Sequence, residues 1–365
     1  MDSPCLTIDL DKIEHNARSI VGLCKGRGID VAGVTKVTCG HPGVARAMLR
    51  GGVGAIADSR LENIQRLRAD GLRTSLMLLR IPPLSRVEEV VEAVDISLNS
   101  ELAVLVALSA AARRQGRVHD VMLMVDLGDL REGVLPRDLA PLTEQSLKLS
   151  GIRIRGLGTN LACYAGVMPD EHNMQRLVAL GSEIEHRFGL KLDWLSGVNS
   201  SGLELISAGR MPGRVNHARI GEAILLGRET TRRRPWPGAW QDAFILHAEV
   251  LELKRKPSLP QGERGEDAFG RLPRFEDRGE ILRALLNVGR EDVDVRGIAP
   301  LDTRLTVLGA SSGYLVVDAT PAEGDIRVGD TLAFSLNYSA LLTAMTSDYV
   351  SKHAREKSAS AAGEG

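Results

Sequence analysis

The chain has 365 residues, a mass of 39.4 kDa and a formal net charge of −1, and 43% of its residues are hydrophobic. A near-neutral chain with 3% aromatic residues and no basic block is not typical of proteins that bind nucleic acid or anionic membranes. The sequence shows no signal-peptide pattern, no apolar run near the ~20 residues of a membrane span, and four cysteines without a CxxC pair. It predicts a cytoplasmic protein with reduced thiols, no metal site and no nucleic-acid or membrane partner.

From residue 29 onward, short β-branched runs alternate with amphipathic stretches, the pattern of a parallel α/β fold. Eight such repeats predict a closed (β/α)₈ TIM barrel. A doubly wound open sheet is the alternative, but its dinucleotide-binding version would carry a GxGxxG motif after the first strand, and none is present. The predicted strands are 31–36, 55–58, 75–79, 94–98, 121–126, 152–159, 192–196 and 215–220, and the predicted helices are 42–50, 60–69, 87–92, 101–114 and 170–187.

The pattern changes after residue 226, where a polar connector with three consecutive arginines precedes short strand-like runs separated by Gly/Pro turns. These runs predict a C-terminal, mostly antiparallel β domain with little helix, and the segment 5–10 is a strand that could pair with it. The predicted strands are 244–253, 281–288, 303–308, 315–318 and 330–335. The predicted domains are a barrel over 11–240, a β domain over 241–355 joined by the N-terminal segment 1–10, and a disordered tail over 356–365.

Reactive groups of such a barrel come from the carboxyl ends of its strands. Lys36 ends the first predicted strand, and its burial there would favour the neutral amine, which is the nucleophile that forms imines. A strand-end lysine that simply reaches water is the structural alternative. After the seventh and eighth strands, Asn199-Ser200-Ser201-Gly202 and Ile220-Gly221 occupy positions where barrels bind phosphate, although such turns are also ordinary helix caps.

Taken together, an imine-forming lysine at the first strand and a phosphate site at the last two predict the cofactor pyridoxal 5′-phosphate (PLP). The sequence then resembles the alanine-racemase-type (fold type III) PLP enzymes, and within them the alanine/ornithine racemase branch. The resemblance covers residues 4 to about 350 in the family's order, and its motifs lie in the segments 34–40, 125–131, 158–164, 199–200, 219–227, 267–270 and 308–312.

The resemblance implies a role for each of these segments. Lys36 would hold PLP as an imine and act as one of two acid/base groups at the substrate Cα. Arg219 would face the pyridine nitrogen; because a guanidinium does not accept the ring proton, the ring is a weaker electron sink, which suits racemisation over transamination. The remaining implied contacts are the phosphate with Asn199, Ser200, Ile220 and Gly221, the cofactor ring with Asn160, and the substrate carboxylate or phenolic oxygen with Arg131.

The chain departs from the family pattern at the second base. The family's catalytic tyrosine aligns with Phe269, which cannot transfer a proton. The residue that acts as the base on the opposite face of the substrate is therefore unassigned. Asp267, two residues away, is the favoured catalytic residue because a desolvated carboxylate can be tuned as a base; a turn-forming aspartate is its structural alternative. Cys163 and Tyr164, which follow the sixth strand, are the rivals.

Other departures bear on the substrate. Gly40 replaces a tyrosine and Met124 aligns with a carbamylated lysine of some family members. The smaller residues leave a roomier pocket, and acidic residues of the β domain, Asp292 and Asp294, could pair with a cationic side chain. These features favour a basic amino acid such as ornithine or lysine. The resemblance also places Ser311 and Ser312 near the substrate, although Ser-Ser-Gly is common in hairpins.

The sequence therefore predicts a PLP-dependent amino-acid racemase that forms a homodimer, because the family's β domain completes the barrel mouth of the other subunit. A decarboxylase or aldolase of the same fold is one alternative. Decarboxylases of this fold carry a cysteine–aspartate motif near the C-terminus, whereas Cys163 is the last cysteine here. A PLP-binding regulatory protein without turnover is the other alternative, but such proteins lack a second domain.

Overall fold

A computed structural model describes residues 3–356 of the chain. The predicted disordered tail, beyond residue 356, therefore lies outside the described residues, as do residues 1 and 2. The chain divides into two compact units, which are described separately: Leu10–Gln241 form one, and the segments before Leu10 and after Gln241 form the other. Among residues 3–356, every helix is too short or too polar to cross a bilayer.

The unit Leu10–Gln241 contains a closed barrel of eight parallel strands, as the alternating pattern predicts. The last strand closes the barrel by pairing with the first, with Asp30 opposite His217 and Gly33 opposite Ile220. Parallel strands place all their carboxyl ends on one rim, so the loops after them share one face of the unit. The barrel strands are β2 Asp30–Val34, β3 Ala55–Asp58, β4 Ser75–Leu78, β5 Ile96–Asn99, β6 His119–Met124, β7 Ile152–Gly158, β8 Trp194–Val198 and β9 His217–Ile220.

Helices connect these strands, and the longest illustrates how the sequence sets its bounds. It follows Asp170, whose side chain accepts from the Asn173 N–H while the Asn173 side chain accepts from the Asp170 N–H, a capping box. Gly189 ends it in the left-handed conformation at φ 63°. The helices are α1 Leu10–Lys25, α2 Pro42–Arg50, α3 Leu61–Ala69, α4 Val87–Ala93, α5 Leu102–Arg114, α6 Pro136–Ser146, α7 Glu171–Phe188, α8 Leu203–Ser207 and α9 Glu222–Leu226.

The barrel interior is filled by apolar side chains rather than left as a pore. Two methionines of β6 reach across to β7, where a Cβ on Gly158 would lie only 2.8 Å from the Sδ of Met124 and 2.9 Å from that of Met122. A larger residue at this point would therefore require the two methionine side chains to shift. The buried cluster consists of Ala32, Val34, Ala57, Met77, Ile96, Leu98, Met122 and Met124.

The other unit is built on an eight-stranded, mostly antiparallel sheet. The N-terminal strand β1 (Cys5–Asp9) pairs antiparallel with the long strand β10 (Phe244–Pro257), as the sequence predicts. The expectation of little helix is confirmed, with one α-helix, α10 (Tyr338–Thr346), following an Asn337 cap in the described part of this unit. The other strands are β11 Glu280–Leu286, β12 Ile298–Pro300, β13 Thr306–Ala310, β14 Leu315–Asp318, β15 Thr331–Leu336 and β16 Ser351–Arg355.

Several predicted boundaries are wrong by two or more residues, and the helices α1, α6, α8 and α9 and the strands β12 and β16 were not predicted. The most consequential error is at the first barrel strand, which ends at Val34 and not at Lys36. Thr35 leaves the strand with φ −100° and ψ 3°, and its hydroxyl donates to Asp58 at the end of the neighbouring strand. Lys36 therefore lies in the turn beyond the strand.

Candidate active site

Lys36 begins a short 3-10 helix, Lys36–Thr38, at the carboxyl rim of the barrel, and its side chain is half-buried. The backbone around it is closely tied. The Thr35 N–H donates to the Ala57 carbonyl over 2.9 Å, and the Thr38 hydroxyl donates to the Thr35 carbonyl over 2.9 Å. Cys39 then takes a left-handed conformation at φ 52°. The turn that carries the lysine is thus held in one geometry.

A buried carboxylate holds this turn from the next strand. Asp58, at the end of β3, accepts from the Thr35 hydroxyl over 2.8 Å, from the Asn63 amide over 2.9 Å and from the Arg60 N–H over 3.0 Å. Burial raises the pKa of Asp58, and the donated hydrogen bonds oppose that rise. With three donors on its buried carboxylate, Asp58 is held in place and in turn positions Thr35, the residue before Lys36.

Arg219 points from β9 across the strands beside it, and only 5% of the residue is exposed. Its Nη1 donates to the Ser196 carbonyl over 3.0 Å and to the Ser196 hydroxyl, and its Nη2 donates to the Thr159 carbonyl over 2.7 Å. Burial lowers the pKa of Arg219 to about 10. The guanidinium is anchored by neutral acceptors and remains the charged form at neutral pH.

A buried histidine lies behind this arginine. His217, two residues earlier on β9, contacts the Ser196 hydroxyl with its Nδ1 at 2.7 Å and packs against the Trp194 ring with centroids 5.1 Å apart. Burial, reinforced by the charge of Arg219, lowers the pKa of His217 to about 3. This imidazole is neutral at physiological pH.

The two segments predicted to bind phosphate meet after β8 and β9. The Asn199 side chain caps the 3-10 helix Ser200–Gly202, accepting from the Ser201 N–H over 2.8 Å, and donates to the Leu161 carbonyl over 2.7 Å. The Ser200 hydroxyl accepts from the Ala223 N–H over 3.2 Å, which joins the β8 loop to α9. Ile220 is fully buried just before this helix.

Gly221 lies where β9 and β2 approach each other. A Cβ there would be 3.0 Å from both the carbonyl oxygen and the Cβ of Val34, so only glycine fits without displacement. The first N–H groups of α9 have no intrahelical acceptor. They lie beside the Ser200 hydroxyl, which is the arrangement that the phosphate assignment requires.

Glu222 opens α9 and adds a charge that the sequence analysis did not consider. Its side chain is 11% exposed and forms an ion pair with Arg233 of the connector after α9. Burial raises the pKa of Glu222, while the positive charges of Arg233, Arg228 and Lys36 oppose that rise. A carboxylate therefore lies within electrostatic range of the lysine amine.

Two polar side-chain atoms at the end of β7 are buried and have no hydrogen-bond partner within the described chain. They are the Thr159 hydroxyl and the Asn160 amide nitrogen. Buried polar atoms are nearly always paired, because an unpaired one costs about 1–3 kcal/mol. Both atoms belong to the segment that Arg219 and Asn199 contact. Arg219 donates to the Thr159 carbonyl, and the Asn160 Oδ1 lies 3.4 Å from the Asn199 amide nitrogen. They are open positions for a polar ligand.

Arg131 lies in the loop after β6 and is already engaged. Its guanidinium binds both carboxylate oxygens of Glu132, and its Nη1 lies 2.9 Å from the Sγ of Cys163. Glu132 and Arg131 both affect the pKa of Arg219, in opposite directions, so this pair is electrostatically close to the buried arginine. The predicted substrate-binding arginine and one candidate base are thus in contact.

The loop that carries Cys163 and Tyr164 is held by a buried aspartate. Asp129, 1% exposed, accepts from the Tyr164 N–H over 2.8 Å and from the Val167 N–H over 3.3 Å. Cys163 is exposed, and Tyr164 is 76% exposed. The backbone of this loop is fixed although both candidate side chains face solvent.

The predicted second base lies in the other unit. Asp267 accepts with one oxygen from the Phe269 N–H over 2.9 Å and from the Arg271 N–H over 3.0 Å. These backbone donors lower its pKa below the usual range, whereas the sequence analysis expected desolvation to tune it as a base. The Phe269 ring lies under the Arg290 guanidinium, 4.2 Å from the ring centroid. The carboxylate is a turn-forming residue in this unit.

Ser311 and Ser312 form the exposed tip between β13 and β14, where the Ser311 hydroxyl accepts from the Tyr314 N–H over 3.1 Å. The two acidic residues suggested for a cationic substrate already have partners. Asp292 accepts from the Gly289 N–H over 2.8 Å, and Asp294 from the Ser339 hydroxyl over 2.7 Å. Both carboxylates serve the local structure of this unit.

Several supporting residues were not among the predicted site residues, namely Asp58, Glu132, Ser196, His217 and Glu222. The signal for His217 was available, because residues two apart on a strand share a face and His217 precedes Arg219 by two. The others become visible only when separate strands meet. The described part of the chain has no group of three or more His, Cys, Asp or Glu side chains placed to bind a metal ion.

Comparisons with known proteins agree with the fold. Residues 8–229 match the family model of the alanine racemase N-terminal domain. Among solved structures, alanine racemase from D-cycloserine-producing Streptomyces lavendulae has a TM-score of 0.75 at 19% identity, covering 97% of this chain and 98% of the other. D-threonine aldolase from Filomicrobium marinum has a TM-score of 0.71 at 15% identity, covering 94% and 89%. At these identities the structural matches establish the architecture alone.

Two curated relatives match nearly end to end. Ornithine racemase of Acetoanaerobium sticklandii is 43% identical over 350 residues, covering 96% of this chain and 99% of the relative. Lysine racemase of Thermotoga maritima is 40% identical over 349 residues, covering 96% and 98%. With the domain match, the barrel and its strand-end residues, these similarities identify this chain as a member of the alanine racemase family.

Proposed function

We propose that this protein is a PLP-dependent racemase that interconverts the L and D forms of a basic amino acid such as ornithine or lysine. The observation that carries the proposal is the similarity, over 96% of the chain, to an ornithine racemase and to a lysine racemase. The expectation of a basic substrate, made from the sequence, points the same way. The pairing of that substrate with Asp292 or Asp294 is not retained, because both carboxylates are engaged locally.

The residues at the barrel rim fit PLP. The Arg219 guanidinium is buried, and within residues 3–356 it forms no ion pair with a carboxylate, so it can face a ring nitrogen. The orphaned Thr159 and Asn160 atoms offer further polar contacts beside it. When bound, PLP supplies the electron sink that makes the Cα–H bond of an amino acid acidic. Lys36 is the only lysine in the motifs that carry the resemblance.

Each residue then has a defined task. The Lys36 amine would hold the cofactor aldehyde covalently and, once released from it, would move a proton at Cα. The Ser200 hydroxyl and the N–H groups beside Ile220 and Gly221 would bind the phosphate. Arg219 would donate to the ring nitrogen and would not accept its proton, which favours return of the proton to Cα. In addition, Asn160 would support the ring side of the site, Asn199 would hold the turn at the phosphate, and Arg131, Ser311 and Ser312 would bind the substrate.

The second proton-transfer group is proposed to be Asp267, with Cys163 and Tyr164 as the rivals. The low pKa of Asp267 leaves its carboxylate ionised, which a base requires, but also makes it a weak base. Cys163 has the contact with Arg131 in its favour, at 2.9 Å. The D267N, C163S and Y164F variants decide between them.

A racemase with two bases retains one half-reaction when the other base is removed. The correct variant should therefore stop racemisation yet still exchange the Cα proton of one enantiomer with deuterium oxide, measured by NMR. The wrong variants should exchange both enantiomers as the wild type does. If all three retain racemisation within about threefold, none of these side chains is the base.

The active sites are proposed to be shared between the subunits of a homodimer, as the family resemblance implies, with Lys36 and Arg219 from one subunit and Asp267 from the other. Mixing inactive K36A with inactive D267N under conditions of subunit exchange should restore about a quarter of the activity, since half of the dimers are mixed and each has one intact site. No recovery, or a monomer by gel filtration, contradicts this assembly. A cytoplasmic location is also proposed, in line with four free cysteines.

The decisive assay is a chiral analysis over the proteinogenic amino acids and ornithine, in deuterium oxide and with added PLP. A racemase labels Cα without loss of mass from the substrate, and its rate should be highest for ornithine or lysine. Loss of carbon dioxide or cleavage to an aldehyde would instead identify a decarboxylase or an aldolase. Cofactor binding without turnover on any amino acid would identify a PLP-binding regulatory protein.

A further inference from the structure

The barrel contains two buried serine–histidine pairs on neighbouring strands. In the first, the Ser196 hydroxyl of β8 lies 2.7 Å from Nδ1 of His217 on β9. In the second, the Ser97 hydroxyl of β5 lies 2.8 Å from Nε2 of His119 on β6. Each histidine is 3% exposed, and burial lowers the pKa of His119 to about 4 and that of His217 to about 3. The two pairs resemble each other in burial and charge.

The pairs differ in what they hold. In the second pair, the Ser97 hydroxyl also accepts from the Asn99 amide over 2.9 Å, so its further partner is a neutral side chain. In the first pair, the Ser196 hydroxyl also accepts from Nη1 of Arg219, the residue assigned to the cofactor's ring nitrogen. The first pair is therefore connected to the site, and the second is its structural counterpart without that connection.

The donors and acceptors of the first pair are set by Arg219. A guanidinium only donates, so the Ser196 oxygen accepts from Arg219 and its own proton is free to be donated. In the described chain the other partner of that hydroxyl is Nδ1 of His217. Nδ1 accepts that proton when His217 is neutral with its proton on Nε2, the tautomer that satisfies both groups and agrees with the burial of the ring. A protonated His217 would donate to the Ser196 oxygen instead of accepting from it. Its positive charge would then lie close to that of Arg219.

We propose that His217 is a positioning residue that acts through Ser196 to fix the rotamer of Arg219 and thereby select which of its N–H groups face the cofactor's ring nitrogen. Nη1 and Nη2 are held by Ser196 and by the Thr159 carbonyl, which leaves Nε–H and one Nη2 hydrogen. This inference rests on the proposed function. It adds a residue that contacts neither the phosphate nor the substrate.

The test measures binding to the apo-protein and not turnover. The probe is 4′-deoxypyridoxine phosphate, which lacks the aldehyde and so reports the ring and phosphate contacts without the bond to Lys36. Titrations use the full-length H217L, S196A and H217N variants, with H119L as the matched control. Asparagine can place an amide oxygen near the position of Nδ1, so H217N keeps an acceptor for Ser196.

We expect H217L and S196A to weaken probe binding about tenfold, the scale of one misplaced charge-assisted hydrogen bond, and H217N to stay within about threefold of the wild type. H119L should bind the probe with the affinity of the wild type, although it should lose about as much stability as H217L. The absorbance spectrum of bound PLP should shift in H217L and S196A and remain unchanged in H119L.

Equal affinities and spectra for H217L, S196A and H119L would overturn the positioning role and leave the proposed function intact. If H217L does not fold, H217V takes its place, because it also removes the acceptor for Ser196 and is a β-branched residue suited to a strand. Failure of the wild type to bind either PLP or the probe would instead overturn the proposed function, and the inference with it.

Discussion

The barrel presents two cations at one rim and holds them in opposite ways. At the lysine turn, defined by Thr35, Lys36 and Asp58, the backbone is fixed by hydrogen bonds while the lysine side chain is half-buried. At the arginine strand, defined by Ser196, His217 and Arg219, the side chain itself is fixed, with 5% of Arg219 exposed. The contrast matches the proposed tasks.

A nucleophile that forms and breaks a bond has to move, and a group that donates to a ring nitrogen has to stay. Fixing the backbone of the lysine turn holds the base of a flexible side chain in place, and anchoring a guanidinium with neutral acceptors fixes the second group without neutralising its charge. Exchanging the two residue types should therefore harm both positions, for different reasons and by different amounts.

The largest effect is expected for Lys36→Arg. The variant keeps the positive charge but has no amine that can form an imine, so kcat should fall by at least about 10³-fold. Borohydride reduction in the presence of PLP should label the wild-type protein and not the variant. Lys148→Arg, at a side chain that is 70% exposed, is the control and should keep full activity. Labelling of the Lys36→Arg protein would refute the assignment.

Arg219→Lys should act less severely. It keeps the charge and loses the planar fork, so at least one of the contacts to Ser196 and Thr159 is lost and the donor to the ring nitrogen is misplaced. We expect a fall in kcat of about 100-fold, the scale of removing one preorganised donor. Arg153→Lys is the control and should change kcat little, because the Arg153 side chain is 62% exposed in its ion pair with Asp120. Comparable kcat losses in both variants would remove the distinction between the two arginines.

Asp58→Asn probes the lysine turn itself. The asparagine amide NH₂ cannot accept a hydrogen bond, so at least one of the three groups that donate to Asp58 loses its acceptor. This loss should lower the free energy of unfolding by about 2 kcal/mol. Urea denaturation measures it, with Asp138→Asn, at a 57% exposed side chain, as the control within about 0.5 kcal/mol. A loss no larger than the control would mean that Asp58 does not hold the turn.

The last prediction concerns pH, to which the two regions should respond with opposite sign. The pKa of His217 is lowered to about 3, so its contribution to stability is present above its unfolded pKa of about 6.5 and is lost as pH falls toward 3. The pKa of Asp58 is raised, so its contribution is present at low pH and is lost as pH rises. Between pH 7 and pH 5 the wild type should lose about 2 kcal/mol more than H217N. Equal losses in urea titrations would show that His217 is not buried neutral.

Much of the barrel could be predicted from sequence because its signals are local. Alternating runs located the strands, and the predicted helix 170–187 is present as α7, where Met174, Leu177 and Ile184 recur at helical spacing and are all buried. Short elements with weak periodicity, such as α9 and β12, were missed. The end of β2 was misplaced because the bond from Thr35 to Asp58 joins residues 23 apart, and no local pattern reports it.

The sequence by itself determined the fold class, the family and the residues that its motifs mark, since these depend on periodicity and on residue identity at fixed order. The tertiary structure decided how those residues are supported. Which acceptors hold Arg219, which carboxylate ties the lysine turn and which histidine stays neutral all depend on side chains from different strands meeting at one rim, where burial sets their charge. Such contacts arise only once the barrel closes and have no signature in any single segment.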